Sequence, residues 1–129
     1  MERATIAAVE SVSHSLVETS DLFPTLCDLA GIPISGTVQG RSFAALLDQP
    51  TKSFRESAYC RFMNADAVIT EQFTFTSYHG GKSVMLYDLK KDPSENTNVA
   101  DRSEYKKTVS NMAALLQKRQ KEAARREKN

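Results

Sequence analysis

Chemistry in this chain would have to come from few side chains. There are two histidines, His14 and His79, and two cysteines, Cys27 and Cys60. None of them falls in a His-x-x-x-His, His-Glu-x-x-His or Cys-x-x-Cys arrangement, and neither a Gly-rich phosphate loop nor a Gly-x-Ser-x-Gly elbow is present. His79 is the more promising histidine. It follows Tyr78 and precedes Gly80-Gly81, a strong hairpin signal because both glycines accept positive φ. An imidazole at such a tip can reach outward to a ligand, although a lone histidine there is more often an ordinary turn residue. His14 lies in a stretch without cap or turn signals and is expected to be solvated. Cys27 and Cys60 lie far apart, and each is expected to be a small buried hydrophobe.

Asp88, Asp92, Glu95, Asn96 and Asn98 form an oxygen-rich run that superficially suggests calcium. It lacks the Asp-x-Asp-x-Asp-Gly order and late bidentate Glu of an EF-hand, and Pro93 and two lysines interrupt it. Turn formation and helix entry account for the same residues more simply.

Those residues sit in a chain of 129 residues, enough for one domain with a core and too short for two ordinary ones. Hydrophobic residues at 40% and charged residues at 26% indicate a globular balance, and the net charge of +1 gives no general case for nucleic acid or an anionic membrane. No apolar run reaches the length of a membrane span. The first twelve residues lack the basic-then-apolar layout of a secretory signal.

The elements that must position these side chains follow from periodicity. Residues 13–17 suit a short extended piece. Ser20 or Asp21 can cap a helix in which Leu22, Phe23, Leu26, Leu29 and Ala30 share an apolar face, with Pro24 in the first turn and Gly31 as the left-handed stop. That face needs a partner surface. After a loop over 32–39, Ser42 can cap a second short helix carrying Phe43, Ala44, Leu46 and Leu47. Strands are expected at 57–63, 67–70, 73–79 and 83–89, the third alternating plainly, and short links favour an antiparallel meander. Asp92-Pro93 breaks the last strand, since proline lacks the N–H of a ladder. Asp101 or Ser103 can then cap a long helix whose stripe is Tyr105, Val109, Met112, Leu116 and Ala123. Six Lys/Arg against two Glu in the last dozen residues raise an RNA-binding tail. A solvated helix end suiting the negative dipole terminus explains the same residues, and no aromatics are interleaved to stack bases. The fold class is α+β: a small four-stranded antiparallel sheet packed on a long C-terminal helix, preceded by two short helices.

Three segments resemble a family. Val17 and Glu18 followed by Asp21, Phe23-Pro24-Thr25-Leu26 and Leu29-Ala30-Gly31 form the first; Gly40-Arg41-Ser42 with Leu46-Leu47 is the second. Leu86-Tyr87-Asp88-Leu89 with Asp92-Pro93, Glu95 and Asn98-Val99-Ala100 is the third. In order and spacing they are similar to the C-terminal portion of a sulfatase of the alkaline-phosphatase-like superfamily, of the iduronate-sulfatase and choline-sulfatase type.

The resemblance implies that residues 1–50 are the tail end of a larger N-terminal domain and 51–129 a C-terminal subdomain. It implies a formylglycine nucleophile, made from Cys or Ser in Cys/Ser-x-Pro-x-Arg, and calcium, both in the parent's missing N-terminal catalytic domain. No proline stands two residues after Cys27 or Cys60, so this chain alone is expected to be inactive. A strand rich in Arg and Asp in the family keeps its pattern with fewer charges at 68–75. Tyr78 and His79, at a hairpin that in the family can approach the pocket mouth, are the candidate substrate-binding residues. The parent is expected to be extracytoplasmic. The alternative is a non-catalytic interaction module with a sulfatase C-terminal fold that self-associates or binds a partner protein through the 22–30 helix.

Overall fold

The computed structural model describes residues 11–126, which form two compact units, one running to Glu56 and the other starting at Ser57. The N-terminal stretch that lacks sequence signals lies largely outside the described residues, as does the last part of the basic tail.

In the first unit, residues 11–18 are irregular, so the expected extended piece at 13–17 forms no strand. A 3₁₀ turn, Thr19–Asp21, leads into α1, Leu22–Ala30. Glu18 rather than Ser20 or Asp21 starts the turn, in a reciprocal capping box with Asp21. Gly31 stops α1 at φ 66 as expected. The second short helix, α2, spans Ala45–Asp48 with Ala44 at the N-cap position. Ser42 stands two residues ahead of that position. Its hydroxyl accepts from Ala44 N–H at 3.2 Å and donates to Asp28 at 2.6 Å.

Asp21 is the buried hub of this unit. One carboxylate oxygen accepts from Arg41 N–H at 2.8 Å and the other from Glu18 N–H at 2.8 Å. Arg55 Nη2 lies 2.6 and 2.7 Å from the two oxygens, and its Nη1 is 3.0 Å from Glu18. Thr25 donates its hydroxyl to Asp21 O at 2.6 Å and accepts from Phe43 N–H at 3.0 Å. Gly40 passes so near the 3₁₀ turn that a Cβ there would lie 1.9 Å from Ser20 O, which only glycine tolerates. These bonds engage the Asp21 carboxylate, the Thr25 hydroxyl and both Arg55 Nη groups. The apolar side of α1, Leu22, Phe23, Leu26 and Leu29, stays at least half exposed.

In the second unit the strands are β1 Ala58–Phe62, β2 Ala65–Ile69, β3 Phe73–Tyr78 and β4 Ser83–Asp88. They form one antiparallel sheet in the order β1-β2-β3-β4. A 3₁₀ turn, Ser103–Tyr105, precedes α3, Lys106–Arg126. Arg102 occupies the cap position without a side-chain bond, so neither Asp101 nor Ser103 caps this end. Val68, Phe75 and Leu86 share one face of the sheet and pack with Tyr105, Met112 and Leu116, joined by Val99 and Ala100. The architecture is α+β, with two short helices, a four-stranded sheet and a long helix. Cys27 is buried, whereas Cys60 is exposed. It lies on the sheet face opposite to that of Val68, Phe75 and Leu86.

The stretch after β4 is a set of side-chain-stapled turns. Asp92 accepts from Asn96 Nδ2 at 2.9 Å and from Thr97 N–H at 2.8 Å. Both bonds hold its carboxyl below the usual carboxylate range. Thr74 donates its hydroxyl to Glu95. Asn98 Oδ1 accepts from Leu86 N–H at 2.9 Å and Ala100 N–H at 3.0 Å, and Val99 N–H donates to Leu86 O at 2.9 Å.

Candidate functional site

The two candidate substrate residues end β3 together. Tyr78 is its last residue and half-buried; His79 follows, exposed, at φ 49. The β1–β2 turn, Met63-Asn64, lies beside them. His79 N–H donates to Asn64 O at 2.8 Å, and Asn64 Nδ2 sits 3.1 Å from both ring nitrogens of His79. A neutral imidazole accepts that bond through whichever nitrogen lacks the proton. Met63 also has positive φ, 52. Two of the three non-glycine residues with positive φ among those described therefore stand at one end of the sheet.

Asn64 and Met63 escape a sequence reading because the β1–β2 link looks longer there. The strand expected to start at 67 starts at Ala65, and the turn shrinks to two residues. The only sequence signal is the pair Met63-Asn64 between residues able to pair as strands.

Two other ionisable groups of residues are structural. Tyr59 donates to Asp66 at 2.6 Å, and Arg61 Nε lies 2.7 Å from the same oxygen. Burial, reinforced by the bond to Asp66, pushes the Tyr59 phenol up to about 12. Burial opposes ionisation of Asp66, but bonds from Arg61 and Tyr59 outweigh it and hold the carboxyl below its ordinary value. At the end of β4, buried Asp88 accepts from Tyr105 Oη at 2.9 Å, and Lys91 Nζ donates to that oxygen at 2.8 Å. The hydrogen bond to Tyr105 raises the Lys91 ammonium above its usual range.

The residues present do not fit the family's formylglycine or calcium. Cys27 is buried within α1 and Cys60 stands in mid-strand, each followed two residues on by Leu29 or Phe62 instead of proline. Among the described residues no group of three or more His, Cys, Asp or Glu is placed to hold a metal ion. Likewise, no helix among them is long and apolar enough to cross a membrane.

Comparison with known proteins gives this geometry a family. Residues 4–122 match the family described as N-sulphoglucosamine sulphohydrolase, C-terminal. A Δ4,5-hexuronate-2-O-sulfatase of Bacteroides thetaiotaomicron is 34% identical over 115 residues, covering 81% of this chain and 24% of its own length. An arylsulfatase of Clostridium perfringens is 27% identical over 109 residues, covering 81% and 23%. Among solved structures, BT4656 in complex with its substrate D-glucosamine-2-N,6-O-disulfate superposes with a TM-score of 0.73 at 26% identity, covering 81% of this chain and 24% of that one. The chain thus spans about a quarter of the length of the relatives it matches. The match is to the family's C-terminal portion, and the chain belongs to the sulfatase family.

Proposed function

We propose that this chain is the accessory C-terminal portion of a sulfuric ester hydrolase and shapes the rim of a substrate pocket built by a larger N-terminal catalytic portion. In this reading residues 1–50 belong to the end of that larger domain and 51–129 form the C-terminal subdomain. The observation that carries it is the sheet end, where Tyr78 and His79 meet Asn64 with the imidazole exposed. These groups offer a phenol, an imidazole and an amide to the hydroxyls of a substrate.

Sulfate-ester hydrolysis needs a preorganised cation for the developing oxyanion charge. The family's calcium and formylglycine supply that chemistry in the larger portion. This chain's part is to bind and orient. The relatives' names favour a sulfated saccharide as substrate, and the family resemblance favours an extracytoplasmic parent.

The test is sulfate release from an aryl sulfate in the presence of calcium. The chain alone is expected to release none, while the protein joining it to the catalytic portion turns over. Turnover by the chain alone would overturn the accessory role. The exposed face of α1 favours a second reading, a non-catalytic module that self-associates through Leu22, Phe23, Leu26 and Leu29. A chain that sediments as a stable dimer, with no hydrolysis by the joined protein, would select it.

A further inference from the structure

We propose that the outward apolar stripe of α1 is the surface through which this chain docks on the larger catalytic portion; this rests on the reading above and names a contact surface beyond it. At about 100° per residue, Leu29, Leu22, Leu26, Ala30 and Phe23 follow one another around an arc of roughly 120° with no polar side chain among them. A stripe of that width is how a helix faces a hydrophobic core. Here it faces outward: Leu22, Phe23, Leu26 and Leu29 are each at least 51% exposed, and Ile32, just past the Gly31 stop, is exposed as well. Of the ten exposed large apolar side chains among the described residues, eight lie from Val12 to Ile34. The surplus therefore belongs to this segment and not to the chain at large.

The inner side of the same unit is polar, with Asp21, Thr25 and Arg55 all buried. Their bonds fix the helix in this orientation. Thr25 accepts from Phe43 N–H, while Asp21 accepts from Arg41 N–H and Arg55. Rolling α1 to bury its leucines would break that set and strand the Asp21 carboxylate away from its cation. Polar groups inside and leucines outside are the reverse of an independently stable domain. The core that this stripe faces must come from elsewhere.

Size decides the occupant. A helix of nine residues gives a stripe roughly 14 Å long and about 10 Å across. Two copies meeting there would bury on the order of a few hundred Å² each, well below the roughly 800 Å² per partner of a stable interface. A covalently attached portion needs no such area, because the linkage holds it at high effective concentration. The chain spans about a quarter of the length of its relatives, and in the proposed parent the remainder supplies the attached surface. The stripe carries no charge, so the surface it meets is itself apolar; a charge buried against leucine would lack a partner.

Amide hydrogen exchange, followed in the 129-residue chain and in the protein joining it to the catalytic portion, tests the docking. The α1 amides are expected to exchange at least about tenfold more slowly in the joined protein, since a covered helix opens less often. Leu26→Asp should erase that protection and leave exchange in the separate chain unchanged, because Leu26 faces solvent there. Leu26→Ala puts no charge into the contact, so it should keep the joined protein folded and cut the protection roughly tenfold. Equal exchange in the two proteins, or full protection in a folded Leu26→Ala protein, overturns the docking. So does a separate chain that sediments as a stable dimer at micromolar concentration and is dispersed by Leu26→Asp, which would give the stripe to a second copy. Protection without sulfate release from an aryl sulfate removes the sulfatase reading and leaves the docking. Sulfate release without protection does the reverse.

Discussion

Tyr105→Phe is a small perturbation with a large expected effect. Asp88 is 3% exposed, and its carboxylate accepts from Tyr105 Oη at 2.9 Å and Lys90 N–H at 3.3 Å, with Lys91 Nζ 3.8 Å away. The phenol is the nearest of these and also links the buried carboxylate to an exposed ammonium. The substitution removes the hydroxyl alone; the ring can keep its edge-on contact with Phe73, at 6.4 Å between centroids. A hydrogen bond to a charged group contributes about 1.5–3 kcal/mol, and a buried acceptor left with weaker partners points to the upper half of that range.

A loss of about 2.5 kcal/mol lowers the Tm of a unit this size by on the order of 10–20 °C. Circular dichroism melts of both chains measure it. The pH dependence supplies a second check. Burial opposes ionisation of Asp88, but the Tyr105 hydroxyl, the Lys90 N–H and the Lys91 charge still hold its carboxyl below the usual range. A depressed folded value stabilises fully above the unfolded value, about 3.9, and the contribution is lost as pH falls through the folded one. The gap between native and Tyr105→Phe chains should therefore be widest near neutrality and close below about pH 4. A cost under about 0.5 kcal/mol, well short of a charge-assisted bond, or a gap independent of pH, refutes this account of Asp88.

Two further outcomes follow from the other buried polar groups. Arg55→Met strands the Asp21 carboxylate, which is fully buried, and should cost about 3–5 kcal/mol. Amide exchange over the first unit would report it, and replacing Asp21 as well should restore much of the loss. Tyr59 should ionise at about 12 by ultraviolet titration. Asp66→Asn should lower that value while burial keeps it above the ordinary one; no change on substitution would mean that Asp66 plays no part in it.

The sheet and α3 were legible because their apolar residues recur at the periods of a half-buried strand and an amphipathic helix. Val68, Phe75 and Leu86 lie directly opposite one another, and Tyr105, Met112 and Leu116 meet them. Caps were less legible. Sequence identifies a side chain able to cap but not the competitor for it: Asp21 goes to Arg55 and the Arg41 N–H, and Ser42 goes to Asp28. Cys60 was misplaced because its burial depends on which sheet face α3 covers. At the candidate site, Tyr78 and His79 could be read from Gly80-Gly81. Asn64 could not, since its approach to His79 depends on strand register and on a turn that puts methionine where glycine is usual.

The turns after β4 also bear on how this sheet behaves in concentrated solution. Asn98 uses its side-chain amide as a piece of false backbone, and together with Val99 it occupies the Leu86 N–H and C=O groups that a further strand would seek. An open strand edge is a template for pairing with foreign chains and for amyloid growth. On its β4 side the sheet is sealed by two residues of an irregular loop, which guards against edge-to-edge aggregation without requiring a fifth strand.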